Sequence, residues 1–220
     1  MTTSGTTSTP PWSLGPGLRG QASGLGVFAG GRSSRMGGQP KGLLPVPGSG
    51  EPLVVHSLRV SADAGYAACW LVGDLPAYDD VAGGLMLAGF RGRLGDDPAG
   101  VGPLGGLRAL LMAGAQLGLE QVVAVACDMP FVTAPLLGAL RTHASDAAVV
   151  AARRDPSAPW EPLLARYRPR AVLPALDAAL SAGTRSFQAL LATVDVARFE
   201  ADGVTRALDD WDRPEDVRSE

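Results

Sequence analysis

Short apolar runs alternate with stretches of helical periodicity along most of this chain. The apolar runs predict strands at 25–28, 67–72, 121–126 and 147–152, and we expect a further strand at 91–94, within a glycine-rich stretch that has no clear pattern. The run at 121–126 is apolar on almost every residue, so we expect it in the middle of the sheet, buried on both faces. Strands that alternate with helices are typical of βαβ units, and they predict an α/β fold with a mainly parallel sheet.

Helical periodicity predicts helices at 52–64, 104–116 and 171–182. Gly65 and Gly183 directly follow two of these segments, where glycine commonly ends a helix. Residues 1–23 consist largely of Thr, Ser, Gly and Pro and predict a disordered N-terminal tail. The remainder, 24–220, is long enough for one α/β domain with three layers, α/β/α.

Composition narrows the functional classes. The formal charge of the 220 residues is −3, and no basic face accumulates, which argues against nucleic acid as the main partner. No apolar run approaches the length of a membrane span, so we expect no membrane association. Cys69 and Cys127 lie far apart on apolar runs without metal-ligand spacing. We interpret them as reduced core thiols of a cytoplasmic protein.

A glycine-rich, basic loop follows the first predicted strand. Gly30 and Gly31 allow the backbone to approach a ligand closely, and Arg32, Arg35 and Lys41 place three cations within ten residues. These features predict a polyphosphate-binding loop. The loop contains neither the Walker Gly-Lys-Ser/Thr nor the dinucleotide glycine fingerprint. The alternative is an ordinary flexible surface loop with solvated cations.

Asp128 directly follows the central strand. Open α/β sheets bind ligands outside the carboxyl ends of their strands, so this position predicts a ligand-binding carboxylate. Asp128 could instead cap the next helix. Thr133 already offers an N-cap ahead of that helix, which favours ligand binding by Asp128.

The string 29–41, Ala-Gly-Gly-Arg-Ser-Ser-Arg-Met-Gly-Gly-Gln-Pro-Lys, resembles the signature loop of a nucleotidyltransferase superfamily. Cys-Asp-Met-Pro at 127–130 is similar to that superfamily's metal-binding motif. Together with Gly-Pro-Leu-Gly-Gly at 102–106, it makes the chain look most like the molybdenum cofactor guanylyltransferases. The resemblance covers about 25–217 and implies a Rossmann-like, mainly parallel sheet of the nucleotide-diphospho-sugar transferase type.

The resemblance implies a role for each matching residue. Catalysis is expected from Arg35, Lys41 and Asp128, and Mg²⁺ binding from Asp128 and Asp212. Nucleotide contacts are expected from Phe28, Ala29, Gly30, Gly31, Lys41, Asp96 and Asp128. Asp96 has the family's spacing before Gly-Pro-Leu-Gly-Gly. A turn-forming role is its alternative, and the neighbouring Asp97 leaves the choice of residue open.

The acceptor side of the resemblance is weaker. Glu161, Arg185 and Asp210 are expected near the acceptor, although Glu161 could be solvated and Arg185 could be an ordinary surface arginine. Asp210 and Asp212 replace two asparagines of the family motif. Aspartates can still bind metal, but contacts that need an amide donor would be lost.

The implied activity is Mg²⁺-dependent transfer of GMP from GTP to the phosphate of molybdopterin, with release of pyrophosphate. Other molybdenum cofactor biosynthesis proteins are implied as partners. Two alternatives stay open: a sister enzyme that uses CTP or another small phosphate acceptor, and a nucleotide-binding regulator without turnover. We expect GTP over CTP, with backbone N–H groups of 29–31 donating to the guanine carbonyl and Asp96 accepting the guanine N–H bonds.

Overall fold

The computed structural model describes residues 22–29, 40–46, 49–78, 80–81 and 87–209. Strands and helices alternate along these segments, as the apolar pattern predicts. The strands are β1 (Ser23–Phe28), β2 (Ala68–Val72), β3 (Phe90–Leu94), β4 (Gln121–Ala126), β5 (Val149–Ala152), β6 (Glu161–Tyr167) and β7 (Val196–Arg198). The helices are α1 (Leu53–Asp63), α2 (Pro103–Gln116), α3 (Ala134–Thr142), α4 (Pro169–Ser181), α5 (Phe187–Leu191) and α6 (Val204–Ala207).

The strands form one seven-stranded sheet in the order β3-β2-β1-β4-β6-β5-β7. Strands β1, β2, β3 and β4 run parallel to one another, and β7 is parallel to β5. Strand β6 runs antiparallel to β4 on one side and to β5 on the other. The sheet is therefore mainly parallel, and β6 begins at the edge where the other strands end.

Two apolar layers cover the two faces of this sheet. Helices α1 and α3 pack on one face through residues such as Leu58 and Leu137, and α2 and α4 pack on the other through Leu107 and Leu176. Strand β4 contributes alternate valines to both layers and is buried along nearly its whole length. The predicted three-layer α/β/α fold with a central β4 is confirmed. No helix in the described segments is long and apolar enough to cross a membrane.

Strand β1 begins two residues earlier than the sequence predicts. Ala22 and Ser23 are buried, and the Ser23 carbonyl accepts a hydrogen bond from the Ala67 N–H at 3.0 Å. Gln121 Nε2 donates to Ser23 Oγ at 2.8 Å. Small residues can pack in a sheet as well as in a tail, so composition alone placed this boundary too late. The predicted tail otherwise falls on residues 1–21, which lie outside the described segments.

Both cysteines are buried and free. Burial raises the pKa of the Cys69 thiol to about 12, and it raises the pKa of Cys127 as well. Both thiols are therefore protonated near neutral pH and behave as small apolar side chains.

Candidate active site

The candidate site lies along the edge where the parallel strands end and β6 begins. Read across the sheet from β3 to β5, this edge carries Asp96, Asp74, Ala29, Asp128, Glu161 and Arg153. Five of these residues directly follow a parallel strand or lie two positions after it, and Glu161 is the first residue of β6. Ligands of open α/β sheets bind outside this edge.

An ion pair occupies the middle of the edge. Lys41 Nζ lies 3.0 Å from Asp128 Oδ2, and the two side chains are only 20% and 22% exposed. The residues are 87 positions apart, so the fold rather than local sequence brings them together. The N–H of Cys127 donates to the Phe28 carbonyl at 2.9 Å, which extends the β1–β4 pairing and fixes the backbone next to Asp128.

Lys41 is also the only lysine of the sequence, and every other basic side chain except two histidines is an arginine. Arginine would satisfy a purely structural ion pair and would bind a carboxylate in a bidentate manner. Lysine instead places a compact ammonium, a small point charge, beside Asp128. Sequence reasoning reached Lys41 through its motif and missed this compositional signal.

Tyr78 holds the Lys41 turn in place. Its hydroxyl oxygen accepts a hydrogen bond from the Gly42 N–H at 3.1 Å. A Cβ on residue 42 would lie 2.9 Å from the Tyr78 ring, so only glycine allows this approach. Burial, together with the nearby Cys127 and Asp128, raises the pKa of Tyr78 to about 12 and keeps the phenol neutral. The sequence carries no motif that identifies Tyr78.

A cleft of about 560 Å³ opens on the β3-β2-β1 side of the ion pair, and we call it the first cleft. Its lining residues come from the ends of strands and the turns after them: Phe28, Val72, Gly73, Asp74, Leu75, Asp96, Gly100, Gly102, Pro103 and Leu163. Apolar side chains form most of its surface, and two carboxylates lie on its wall. A ligand pocket commonly combines such a volume with a few placed polar groups.

Asp74 and Asp96, whose carboxylates lie on the wall of the first cleft, are joined by hydrogen bonds. Both carboxylate oxygens of Asp74 accept the Asp96 N–H, each at 3.3 Å. Partial burial, and the negative charge of Asp74 to a lesser degree, raise the pKa of Asp96 above its usual range. A Cβ on Gly95 would lie 2.6 Å from Asp74 Oδ1, so glycine there permits the contact. Sequence reasoning did not propose Asp74 as a site residue.

Asp97 has a different environment from its neighbour Asp96. It is exposed and forms an ion pair with Arg108, whose Nε also donates to Asp177 Oδ1 of α4 at 2.7 Å. Asp97 is not among the residues that line the first cleft, whereas Asp96 is. The structure therefore favours Asp96 over Asp97 as the ligand-facing carboxylate.

One backbone prediction is wrong. The Ala29 N–H was expected to donate to a bound base, but it donates to the Val72 carbonyl at 2.9 Å. The β1–β2 pairing continues one residue past β1 and occupies this donor. Gly30 and Gly31 lie outside the described segments.

The two described acceptor-side candidates contact different parts of the edge. Glu161 lines a smaller cavity of about 140 Å³ on the β6–β5 side of Asp128, and its Oε1 accepts the Leu163 N–H at 3.1 Å. Arg185 is exposed, and its Nη1 donates to the carbonyl of Gly100, a residue of the first cleft, at 3.1 Å.

The remaining predicted site residues, Arg35, Asp210 and Asp212, fall outside the described segments. Within those segments, no group of three or more His, Cys, Asp or Glu side chains is arranged to hold a metal ion. Asp128 still fits a Mg²⁺ site, because Mg²⁺ is usually bound through one or two carboxylates together with substrate phosphates and water.

Comparison with known proteins adds an independent line of evidence. The MobA-like NTP transferase domain model matches residues 26–210. The chain is 35% identical over 194 residues to a molybdenum cofactor guanylyltransferase of Pseudomonas putida, covering 86% of this chain and 92% of that protein. It is 34% identical over 195 residues to the protein of the same name from Pseudomonas entomophila, covering 86% and 93%.

A solved structure has the same fold. The molybdopterin-guanine dinucleotide biosynthesis protein A of Archaeoglobus fulgidus superposes with a TM-score of 0.68 at 21% identity. The superposition covers 89% of this chain and 95% of that one. At this identity, the similarity establishes the architecture and not the substrate.

Proposed function

Since this chain belongs to the MobA-like NTP transferase family, we propose that it transfers GMP from GTP to the phosphate of molybdopterin and releases pyrophosphate. The chain is a nucleotidyltransferase, and its relatives named for molybdenum cofactor guanylyl transfer support this choice of substrates. The observation that carries the proposal is the Lys41–Asp128 pair, which lies between two clefts at the ligand-binding edge of the sheet.

The first cleft would take the guanosine of GTP. Phe28 and Leu163 offer apolar surface to the base, and Asp96 offers carboxylate oxygens to the guanine N–H donors. Cytosine is smaller and lacks guanine's adjacent pair of ring and amino N–H donors. Binding CTP would leave Asp96 without partners in a partly buried position, which costs on the order of 1–3 kcal/mol.

The chemistry needs no general base, because an acceptor phosphate is already ionised at neutral pH. One of its oxygens forms a bond to the α-phosphorus of GTP while the bond from that phosphorus to the pyrophosphate oxygen breaks. Lys41, with Arg35, would neutralise the charge that develops on the α-phosphoryl group and on the departing pyrophosphate. Mg²⁺ held by Asp128, with Asp212, would supply further charge neutralisation.

The direct test is a nucleotide and acceptor panel. Purified protein is incubated with each of the four nucleoside triphosphates and Mg²⁺, with molybdopterin or a sugar 1-phosphate as acceptor, and pyrophosphate release is measured. We expect release only with GTP, Mg²⁺ and molybdopterin together. Preference for CTP, or turnover with the sugar phosphate alone, would contradict the proposal. Tight nucleotide binding without any turnover would favour a regulator.

The single lysine allows a second test that does not depend on activity. Acetic anhydride modifies amino groups, and mass spectrometry of the peptide that contains residue 41 reports acetylation of Lys41 alone. GTP with Mg²⁺ should protect Lys41, and CTP at the same concentration should not. Equal protection by both nucleotides would show that the first cleft does not discriminate between bases.

A further inference from the structure

The smaller cavity has no role in the nucleotide half of the proposed reaction. It is lined by Arg153, Arg154, Ala158, Pro159, Trp160, Glu161 and Leu208, and we call it the second cleft. The sheet order places β4, and therefore Asp128, between β1 at the first cleft and β6 at the second. A molecule in the second cleft thus approaches the centre of the edge from the side opposite to the nucleotide.

Trp160 is held firmly in this cleft. Its backbone N–H donates to Gln188 Oε1 at 3.2 Å, and its carbonyl accepts from Gln188 Nε2 at 2.7 Å. The Gln188 side chain therefore pairs with residue 160 in the way that a neighbouring strand would. Gln188 is part of α5, whose N-cap Ser186 accepts the Ala189 N–H at 3.3 Å. This arrangement holds the backbone of residue 160 in place and so sets the position from which the indole extends.

The guanidinium of Arg153 lies over the indole ring of Trp160. The centre of its guanidinium is 4.1 Å from the ring centroid. Its buried Nε–H has no hydrogen-bond partner among the described residues. In this position the guanidinium of Arg153 can contribute its planar face rather than its N–H donors. Planar rings of ligands stack on such guanidinium faces.

The other polar groups of the second cleft define which ring would fit. Arg154 is already neutralised, because it forms an ion pair with Asp209 at 3.0 Å and also donates to the Leu208 carbonyl. Glu161 supplies a carboxylate whose Oε1 accepts the Leu163 N–H, and the two oxygens of a carboxylate together accept more than one N–H bond. Leu208 is buried and adds an apolar wall.

We propose that Trp160, Arg153 and Glu161 bind the bicyclic pterin of the acceptor, with its planar aminopyrimidinone ring stacked on the Arg153–Trp160 pair and the N–H edge of that ring bonded to Glu161. A pterin carries such an edge, with a ring N–H beside an amino group, and two adjacent N–H donors match one carboxylate. This proposal rests on the function proposed above, and it makes these three side chains determinants of acceptor specificity.

The binding test uses pterin itself, 2-amino-4-oxopteridine, whose fluorescence anisotropy rises on binding to the protein. Trp160→Ala and Glu161→Gln should each weaken pterin binding roughly tenfold or more, the size expected for losing a stacking partner or a charged acceptor. Arg153→Lys keeps the charge and loses the plane, so it should weaken binding as well. Full retention of affinity in Arg153→Lys would overturn the stacking geometry.

GTP affinity, measured in parallel, reports on folding and on the first cleft, and it should stay within about twofold in all three variants. Arg168→Gln is the matched control, since Arg168 lies at the opposite end of β6 and pairs with the exposed Asp146. If Trp160→Ala proves unstable, Trp160→Leu removes the indole with less loss of volume.

Unchanged pterin affinity in the three variants, or no binding to the unaltered protein, would refute the proposal. Equal binding of guanosine to the second cleft when GTP is present would also refute it.

Turnover separates this proposal from the function on which it rests. Trp160→Ala should raise the KM for molybdopterin and leave the KM for GTP unchanged. Normal GMP transfer with an unchanged acceptor KM would remove the second cleft from the reaction and leave the guanylyl transfer intact. Pterin binding that depends on Trp160, without GMP transfer to any acceptor, would support the second cleft as a pterin site and contradict the proposed guanylyl transfer.

Discussion

The two clefts at the edge of the sheet differ in what builds them. The first cleft is made largely of residues at the ends of strands and in the turns after them, and the Asp74 carboxylate accepts the Asp96 N–H in its wall. The second cleft is made of side chains from the hairpin between β5 and β6 and of Leu208, and Gln188 of the short helix α5 bonds to the Trp160 backbone. Among the described residues, the Lys41–Asp128 pair lies between the two clefts.

This difference has a consequence for how each cleft can change. Backbone geometry is shared with the sheet, so a substitution in the first cleft must avoid clashes such as the one at Gly95. Side chains such as Trp160 and Arg153 can be replaced without moving a strand. We therefore expect the first cleft to tolerate few substitutions, and we expect the ligand specificity of the second cleft to be easier to change.

The largest expected effect comes from the Lys41–Asp128 pair, where the nucleotide and the acceptor must meet. Asp128→Asn keeps the size of the side chain and removes its charge, and turnover should fall by about a hundredfold or more. Lys41→Ala should lower kcat to a similar extent, with GTP and pterin affinities measured separately. Circular dichroism should show both variants folded. An unfolded Asp128→Asn protein would make Asp128 a structural residue instead.

The next effect should be confined to the first cleft. Asp96→Asn removes one acceptor for the guanine N–H bonds, so GTP affinity should fall about tenfold while pterin affinity is unchanged. Asp97→Asn is the matched control, because Asp97 pairs with Arg108 on the surface, and its change should have little effect on GTP affinity. Equal losses in the two variants would show that the loop conformation, and not the Asp96 carboxylate, recognises the base.

Titration of Asp96 gives nucleotide binding in the first cleft a pH dependence. Partial burial and Asp74 raise the pKa of Asp96, so its charge is lost on acidification sooner than that of an ordinary carboxyl group. GTP affinity should therefore fall as the pH drops through this raised pKa. The folding stability of the ligand-free protein should change with pH in the opposite direction. A raised folded-state pKa of Asp96 favours folding at low pH, and that contribution to stability is lost as the pH rises. Isothermal titration with GTP at several pH values, repeated with Asp96→Asn, would test the assignment.

A smaller effect is expected from the residue that supports Lys41. Tyr78→Phe leaves the Gly42 N–H without its partner, which should lower the free energy of unfolding by about 1–2 kcal/mol. It should lower kcat with little change in either substrate affinity, since neither cleft loses a contact. Urea denaturation and steady-state kinetics measure the two quantities. A large change in GTP affinity would place Tyr78 in the first cleft instead.

The smallest effect should come from Gly95→Ala. The added methyl group would push the Asp74 carboxylate away from the Asp96 N–H, at a cost of about 1 kcal/mol and some loss of GTP affinity. Gly138→Ala is its control, since a Cβ there meets nothing within 4 Å and the residue lies inside α3. That control should be neutral or stabilising by about 0.5–1 kcal/mol. Identical effects of the two substitutions would mean that Asp74 is not required to hold Asp96.

The contrast between the clefts also explains what the sequence could predict. Apolar runs identified β4 and its neighbours, and the rule that ligands bind beyond strand ends anticipated the meeting of Lys41 with Asp128. Asp74 and Tyr78 had no motif, because each acts through one hydrogen bond to a distant backbone N–H. Their importance depends on packing that no local pattern encodes.

Strand β6 was missed for a physical reason. Pro162 lies within it, and proline removes a donor that a central strand normally uses. The pairing with β4 runs from Leu164 to Tyr167, so Pro162 lies beyond it, and the register with β5 shifts near Glu161. The second cleft depends on this irregular start of β6 and on a glutamine 28 residues away from Trp160, and sequence periodicity reports neither.

The segment from Arg185 to Gln188 touches both clefts within four residues. Arg185 donates to Gly100 at the first cleft, and Gln188 holds Trp160 at the second. A nucleotide that strengthened the Arg185–Gly100 bond would restrain this segment and, through Gln188, the backbone of Trp160. Thermodynamic reciprocity then requires the acceptor to tighten nucleotide binding by the same factor that the nucleotide tightens acceptor binding. Each substrate would act as an effector of the other before any bond is made.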